Sequence, residues 1–364
     1  MTTERAYWLA WAQIPGFGPV LLKRIYEHFG SLDVAWSSSD QGLIEVNGIG
    51  QVLLDAFFEV RNRLDPDKFL LEHLAKNPNF LTPSDPEYPR LLLEIADSPS
   101  VLYYEGQLCS EENKGDLPCI TIVGTRAPTP HGRRWGKKIS QALAQSGFSI
   151  VSSMSAGLDG EMQQNVLDID GRTIGILATG LDVVLPHSVN QLYQNVRKKG
   201  LLLSEYPRGS NVHKGNFVAR NRLLAALSRA VIVIEAGQVS GCLTIARYAN
   251  EFGRDVYVVP NSPEVEEALG CLKLLRDGAE IILSIDELLN SLGAMPAIVP
   301  TLEVAPELPE NLKIIWQAFS GGILTFDQLV NSSQMPASQL SGALLELELL
   351  GLVQQLPGMR YQRL

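Results

Sequence analysis

Cys119-Ile120-Thr121-Ile122-Val123-Gly124-Thr125-Arg126 is the stretch that decides the fold. A short apolar run ends in a glycine turn, and an amphipathic stretch, Arg133–Gln145, follows. That order is how a parallel strand–helix unit opens. The alternation continues outward from it. Phe148–Val151, Ile174–Ala178, Leu201–Leu203, Ala230–Ile234 and Val256–Val259 are further strand-length apolar runs, with Ile281–Leu283 as one more. Helical segments such as Leu243–Phe252 lie between them. Strands and helices alternating at this length predict an α/β domain, a Rossmann-like parallel sheet covered on both faces. Ligands of such sheets bind beyond the carboxyl ends of the strands, so function is expected in those loops.

The flanks read differently. Residues 1–80 form an N-terminal helical domain of helix-hairpin-helix (SAM-like) layout. Pro15-Gly16-Phe17-Gly18 and Asn47-Gly48-Ile49-Gly50 are each followed by an apolar helical run. Backbone N–H groups at such turns can hold a phosphate, although a purely structural helical cap fits equally well. Pro66, Pro78, Pro83, Pro86 and Pro89 mark a loop-rich connection into the sheet domain, residues 81–290. Residues 291–307, with Pro296, Pro300 and Pro306, read as a linker. Residues 308–364 contain helix Leu312–Phe319, a capped start at Thr325-Phe326-Asp327-Gln328, a third helix after Pro336, and a hairpin around Pro357-Gly358. Three helices and a hairpin predict a C-terminal winged-helix domain.

Composition removes several function classes. No apolar run reaches the ~20 residues of a membrane span. Met1–Arg5 lacks the layout of a signal peptide. A cytoplasmic protein is expected. Cys109, Cys119, Cys242 and Cys271 are scattered, and the five histidines show no ligand spacing, so no metal is expected. The net charge of −10 argues against nucleic acid, but its distribution does not. Leu117–Leu158 holds no Asp or Glu, yet contains Arg126, Arg133, Arg134, Lys137 and Lys138. Tyr206–Ile234 is likewise free of acids and contains Arg208, Lys214, Arg220, Arg222 and Arg229.

The candidate site residues lie in and around these windows. Gly124 allows close backbone approach, Thr125 offers a hydroxyl, and Arg126 can fork onto phosphate oxygens. The loop feeds a helix near Gly132, whose N-terminus favours anions. It is neither a Walker A loop nor a G-x-G-x-x-G fingerprint. Asp159 is read as the cap of the next helix. Lys214, Phe217, Arg220, Asn221 and Arg222 set cations and an aromatic at near-helical spacing, which suits phosphates and a stacked, unpaired base. The alternative for Phe217 is a core position, and for Arg220 or Arg222 a structural ion pair. Ser240 is read as capping a helix that starts near Gly241, another anion-friendly terminus. Glu235 has no His or Cys beside it and is read as structural.

Together these residues resemble the DNA processing protein A (DprA/Smf) family. The resemblance rests on Gly124-Thr125-Arg126, Ala156-Gly157-Leu158-Asp159, Gly180-Leu181-Asp182, Ser204-Glu205, Arg220-Asn221-Arg222, Glu235-Ala236, Ser240-Gly241, Gly253-Arg254 and Gly278-Ala279. It implies a Rossmann-like domain that binds single-stranded DNA, forms a homodimer and delivers strands to the RecA recombinase in natural transformation. It implies no catalytic residue and no cofactor. Family contacts carry over to Gly124, Arg126, Lys214 and Phe217. The chain departs from the family pattern at Ser153-Met154-Ser155, Asn261 and Gly270-Cys271-Leu272. The competing enzyme reading is a nucleotide-processing hydrolase of the lysine-decarboxylase-like group. Its P-G-G-x-G-T-x-x-E loop is replaced here by Glu235-Ala236-Gly237-Gln238-Val239-Ser240-Gly241. A third reading, a transcription factor, is poorly served by a Pro336–Leu350 helix that contains Glu346 and Glu348 and no Lys or Arg.

Overall fold

The computed structural model describes residues 4–293, 309, 312–313, 315–316, 324–333, 335–350, 352–356 and 359–363. Two compact units result, Met1–Ala297 and Ile298–Leu364.

In the first unit, six helices lead: α1 (Glu4–Trp11), α2 (Pro19–Phe29), α3 (Leu32–Ser37), α4 (Asp40–Ile44), α5 (Gln51–Arg61) and α6 (Pro66–Lys76). Their core is aromatic. Trp11 stacks on Phe57 at 4.6 Å between ring centroids and meets Trp36 edge-on at 5.4 Å. The Trp11 indole N–H also donates to the Leu32 carbonyl at 3.1 Å. Pro66 does not open a loop, as the proline pattern predicts, but starts α6. Its fixed φ suits the first helical turn, and Asp65 caps that turn by accepting the Lys68 N–H at 3.0 Å.

The sheet has the order β1-β2-β6-β5-β4-β3-β7-β8-β9. Its strands are β1 (Phe80–Leu81), β2 (Leu102–Gly106), β3 (Cys119–Val123), β4 (Ser149–Ser152), β5 (Thr173–Ile176), β6 (Leu201–Ser204), β7 (Ala230–Val233), β8 (Asp255–Val258) and β9 (Glu280–Ile281). All seven expected strands form, and strands β3 to β9 pair with one another in parallel. β1 and β2 were not foreseen. They add an antiparallel edge, with Tyr103 opposite Ser204, and β1 straddles the expected boundary at residue 80.

Strand β3 is buried on both faces, so its side chains alternate between two cores. Helices α7 (Arg90–Leu93) and α8 (Ser110–Lys114) precede β3, and α11 (Asn190–Lys199) precedes β6. Ile120 and Ile122 pack with Ile139, Leu143 and Met162 of α9 (Pro130–Gln145) and α10 (Leu158–Leu167). Val123 joins the opposite core with Leu223, Leu224 and Ile245 of α12 (Lys214–Ala226) and α13 (Gly241–Glu251). The N-terminal helices are fastened to the sheet edge. Arg5 lies 4.0 Å over the Phe80 ring and pairs with Asp85 at 3.3 Å.

The second unit is a winged helix. Leu324–Thr325, Arg360–Arg363 and Val353–Leu356 form a three-stranded sheet in that order. Helices Phe326–Ser333 and Ala337–Leu349 pack against it through Leu329, Leu340, Leu344 and Tyr361. The capped start is present: the Thr325 hydroxyl oxygen accepts the Gln328 N–H at 3.3 Å, and Gln328 Oε1 accepts the Thr325 N–H at 2.8 Å. The linker at 291–307 lies outside the described residues beyond Gly293, as do parts of helix 312–319 and the turn residues Pro357 and Gly358.

Candidate functional site

The chain runs outward from β3 through β4, β5 and β6, then returns along α12 to β7 on the other side of β3. The loops after β3 and β7 therefore part at the carboxyl edge, where open α/β sheets hold their ligands. Gly124 and Gly157 are required here by space. A side chain at Gly124 would collide with Leu158, and one at Gly157, at φ 86°, with the Arg126 backbone. The Leu158 N–H donates to the Thr125 carbonyl at 3.1 Å, which locks the β3 and β4 loops together.

Two buried carboxylates organise this edge. Asp159 is not the cap of α10, as expected. Gly157 holds the N-cap position, and Asp159 turns inward from the first turn. It accepts the Gly124 N–H at 2.8 Å and the Ser153 hydroxyl. Burial drives its pKa above the ordinary carboxylate range, against those hydrogen bonds and the charge of Arg220. Glu235, 1% exposed, sits at the start of α9. It accepts the Thr129 N–H at 2.9 Å and the Thr129 hydroxyl at 2.6 Å. The Thr129 hydroxyl in turn takes the Gly132 N–H at 3.1 Å. The helix terminus near Gly132, expected to be open to an anion, is thus satisfied by the protein's own carboxylate. Sequence inspection read Glu235 as structural, as found, without its place at the start of α9, and misread Asp159 as a cap. Their trace was slight: each acid comes after a strand end and precedes a small residue, Gly160 or Ala236.

The candidate cations divide sharply. Arg220 and Arg222, both read as strand contacts, point into the protein because α12 is buried from Arg220 onward. Arg220 Nη1 donates to the Ser153 carbonyl at 2.9 Å and to the Ile176 carbonyl, and burial lowers its pKa to about 10. Arg222 binds Asp97 at 2.7 Å and Glu205 at 2.6 Å. Burial acts to lower the Arg222 pKa, but those carboxylates outweigh it and hold it above the ordinary value. Arg133 pairs with Glu161 at 3.0 Å, and Arg208 pairs with Glu105. Three of the ten cations in the acid-free windows, Arg133, Arg208 and Arg222, are therefore paired with acids from outside them.

Arg126 and Lys214 are different. Both are exposed, and among the described residues neither has an ion-pair partner. Phe217 is half-buried and lines a crevice with Ser153, Met154, Thr179 and Arg220 at the ends of β4 and β5. Met154 holds a left-handed φ of 55°, a strained conformation for a side chain of its size. The Thr125 hydroxyl accepts the Ala127 N–H at 3.2 Å. Ser240 caps α13 as expected, accepting the Cys242 N–H at 3.2 Å, and Gly241 beside it is exposed. Asn221 is buried, with its amide nitrogen 3.8 Å from the position a Cβ would take at Gly241. Among the described residues, no cluster of His, Cys, Asp and Glu could hold a metal ion, and no helix is long and apolar enough to cross a membrane.

Comparison with known proteins identifies the lineage. A family model described as DNA recombination-mediator protein A matches residues 79–293, and one described as the DprA winged helix domain matches 299–359. Protein Smf of a Synechocystis strain is 48% identical over 394 aligned positions that take in 99% of each chain. The X-ray structure of DNA processing protein A from Streptococcus pneumoniae superposes with a TM-score of 0.68 at 30% identity, covering 79% of this chain and 97% of that one. A structure of DNA processing protein A from Helicobacter pylori, described for its unique single-stranded DNA binding mode, gives 0.53 at 32% identity, over 58% and 95%. The chain belongs to the DNA recombination-mediator protein A (DprA/Smf) family.

Proposed function

We propose that this protein binds single-stranded DNA along the carboxyl edge of its sheet and hands the strand to the RecA recombinase. It acts as a cytoplasmic homodimer, without catalysis or cofactor. The observation that carries this reading is the set of three side chains left uncommitted at that edge: exposed Arg126 and Lys214, and half-buried Phe217. Two cations neutralise backbone phosphates, and an aromatic face stacks on a base that a duplex would hide. The described binding mode of the Helicobacter pylori relative supports the same ligand.

A nucleotide hydrolase is disfavoured on physical grounds. Asp159 and Glu235 already occupy the backbone donors of Gly124 and Thr129, where a bound pyrophosphate would seek its own. Adding a charged ligand there would set like charges against each other at low dielectric. The test is a titration of single-stranded and duplex DNA at two salt concentrations. Tighter binding of the single strand, with affinity falling as salt rises, is expected. Equal affinity for the two forms would refute the proposal.

A further inference from the structure

The side chains of the proposed site come from separate parts of the chain. Arg126 lies in the loop after β3, while Lys214 and Phe217 stand on α12. A strand that engages all three needs both supports held in one geometry. Asp159 and Ser153, both buried, join the supports. One oxygen of Asp159 accepts the Gly124 N–H at 2.8 Å, two residues before Arg126. The other accepts the Ser153 hydroxyl. The Ser153 carbonyl in turn accepts Arg220 Nη1 at 2.9 Å. Arg220 follows Phe217 by one helical turn, and the two line the same crevice with Ser153. A continuous path, Gly124–Asp159–Ser153–Arg220, thus runs from the Arg126 loop to the Phe217 side of α12.

Electrostatics trace the same path. Burial lowers the Arg220 pKa, Asp159 opposes that, and Arg126 is near enough to lower it further. The backbone at the joint is also forced. Met154, between Ser153 and Ser155, holds its left-handed φ of 55°. A residue of that kind persists in such a conformation only where its surroundings fix it. Here they do so twice. The Ser153 and Ser155 hydroxyls lie 2.6 Å apart, and the Met154 side chain fills the space over Gly175.

We infer that Asp159 and Ser153 are positioning residues for the single strand: they set the place of Arg126 relative to Lys214 and Phe217, so that one strand can meet all three. They touch no DNA themselves and act through Arg126. This inference rests on the function proposed above and names the buried residues on which its contacts depend.

Asp159→Asn tests it in the full-length chain. An amide offers an oxygen at only one of the two places, so the Gly124 and Ser153 bonds cannot both survive. Charge alone would act the other way, because taking an acid from this edge favours a polyanion. Positioning and simple electrostatics therefore predict opposite signs. A labelled oligothymidylate of about 30 nucleotides is titrated by fluorescence anisotropy, a length that spans a single site of this kind. Asp159→Asn should bind it at least about tenfold more weakly. The slope of log affinity against log salt should flatten by about 0.7, although no cation has been removed. Ser153→Ala keeps the Gly124 bond and should lose about threefold. It also carries the test if Asp159→Asn does not fold, which melting curves report. In an Arg126→Ala background neither substitution should weaken binding further, since residues that act through one contact are not additive. Binding as tight as wild type, or tighter, by folded variants would overturn the inference. So would an equal loss with and without the Arg126 side chain, the mark of a general loosening of the fold. If wild-type protein does not prefer the single strand to a duplex, the underlying function itself falls.

Discussion

Helix α12 carries two kinds of basic residue. Lys214, at its first turn, is exposed and without an ion-pair partner among the described residues. Arg220 and Arg222, in its buried half, are consumed by carbonyls and carboxylates of the protein. One helix thus leaves one cation unpaired at the surface and uses two more to hold loops in place. The lesson is that cation count in a window does not measure its affinity for a phosphate; the fraction left unpaired after folding does. Arg126 falls with Lys214 in this division, while Arg133 and Arg208 fall nearer to Arg222.

The largest effect should come from the buried half. Arg222→Ala leaves Glu205 and Asp97 without their counter-charge, and Glu205 is largely buried. Breaking a buried pair from one side costs about 3–5 kcal/mol, and equilibrium denaturation would measure it. A variant as stable as wild type that has lost DNA binding would break the division, because Arg222 would then belong to the strand site.

Charge reversal at the exposed positions should act the opposite way. Arg126→Glu and Lys214→Glu should each weaken single-strand binding at least tenfold, or about 1.4 kcal/mol. Stability should stay within about 0.5 kcal/mol, as for other surface substitutions. The matching Ala variants should do less, flattening the slope of log affinity against log salt by about 0.7 each. If both Glu variants fold and bind like wild type, the site is wrongly placed.

The smallest effect is expected from removing the winged helix. Helix Ala337–Leu349 exposes Glu346 and Glu348 and contains no Lys or Arg. A chain ending at Gly293 should keep its affinity for single strands within about tenfold. A larger loss would extend the comparison to a third region that holds DNA.

The sequence was most legible where a signal is local. The seven parallel strands showed because each is a short apolar run closed by a turn residue. Ser240 and Thr325 were legible as caps because a cap and its N–H lie within three residues. β1 and β2 were not, since β1 has two residues and β2 pairs with a strand about a hundred positions away. The prolines around them pointed to loop, and only pairing with β6 makes Leu102–Gly106 a strand.

By itself, the sequence determined the α/β order, the two acid-free windows and the glycines that permit close loop contact. Those depend on local periodicity and on side-chain volume. The tertiary structure alone decided which cations remain unpaired. Asp97 reaches Arg222 across 125 positions, Glu105 reaches Arg208 across 103, and Glu235 reaches Thr129 across 106. Coulomb attraction and desolvation act through distance in space, so no spacing along the chain foretells them.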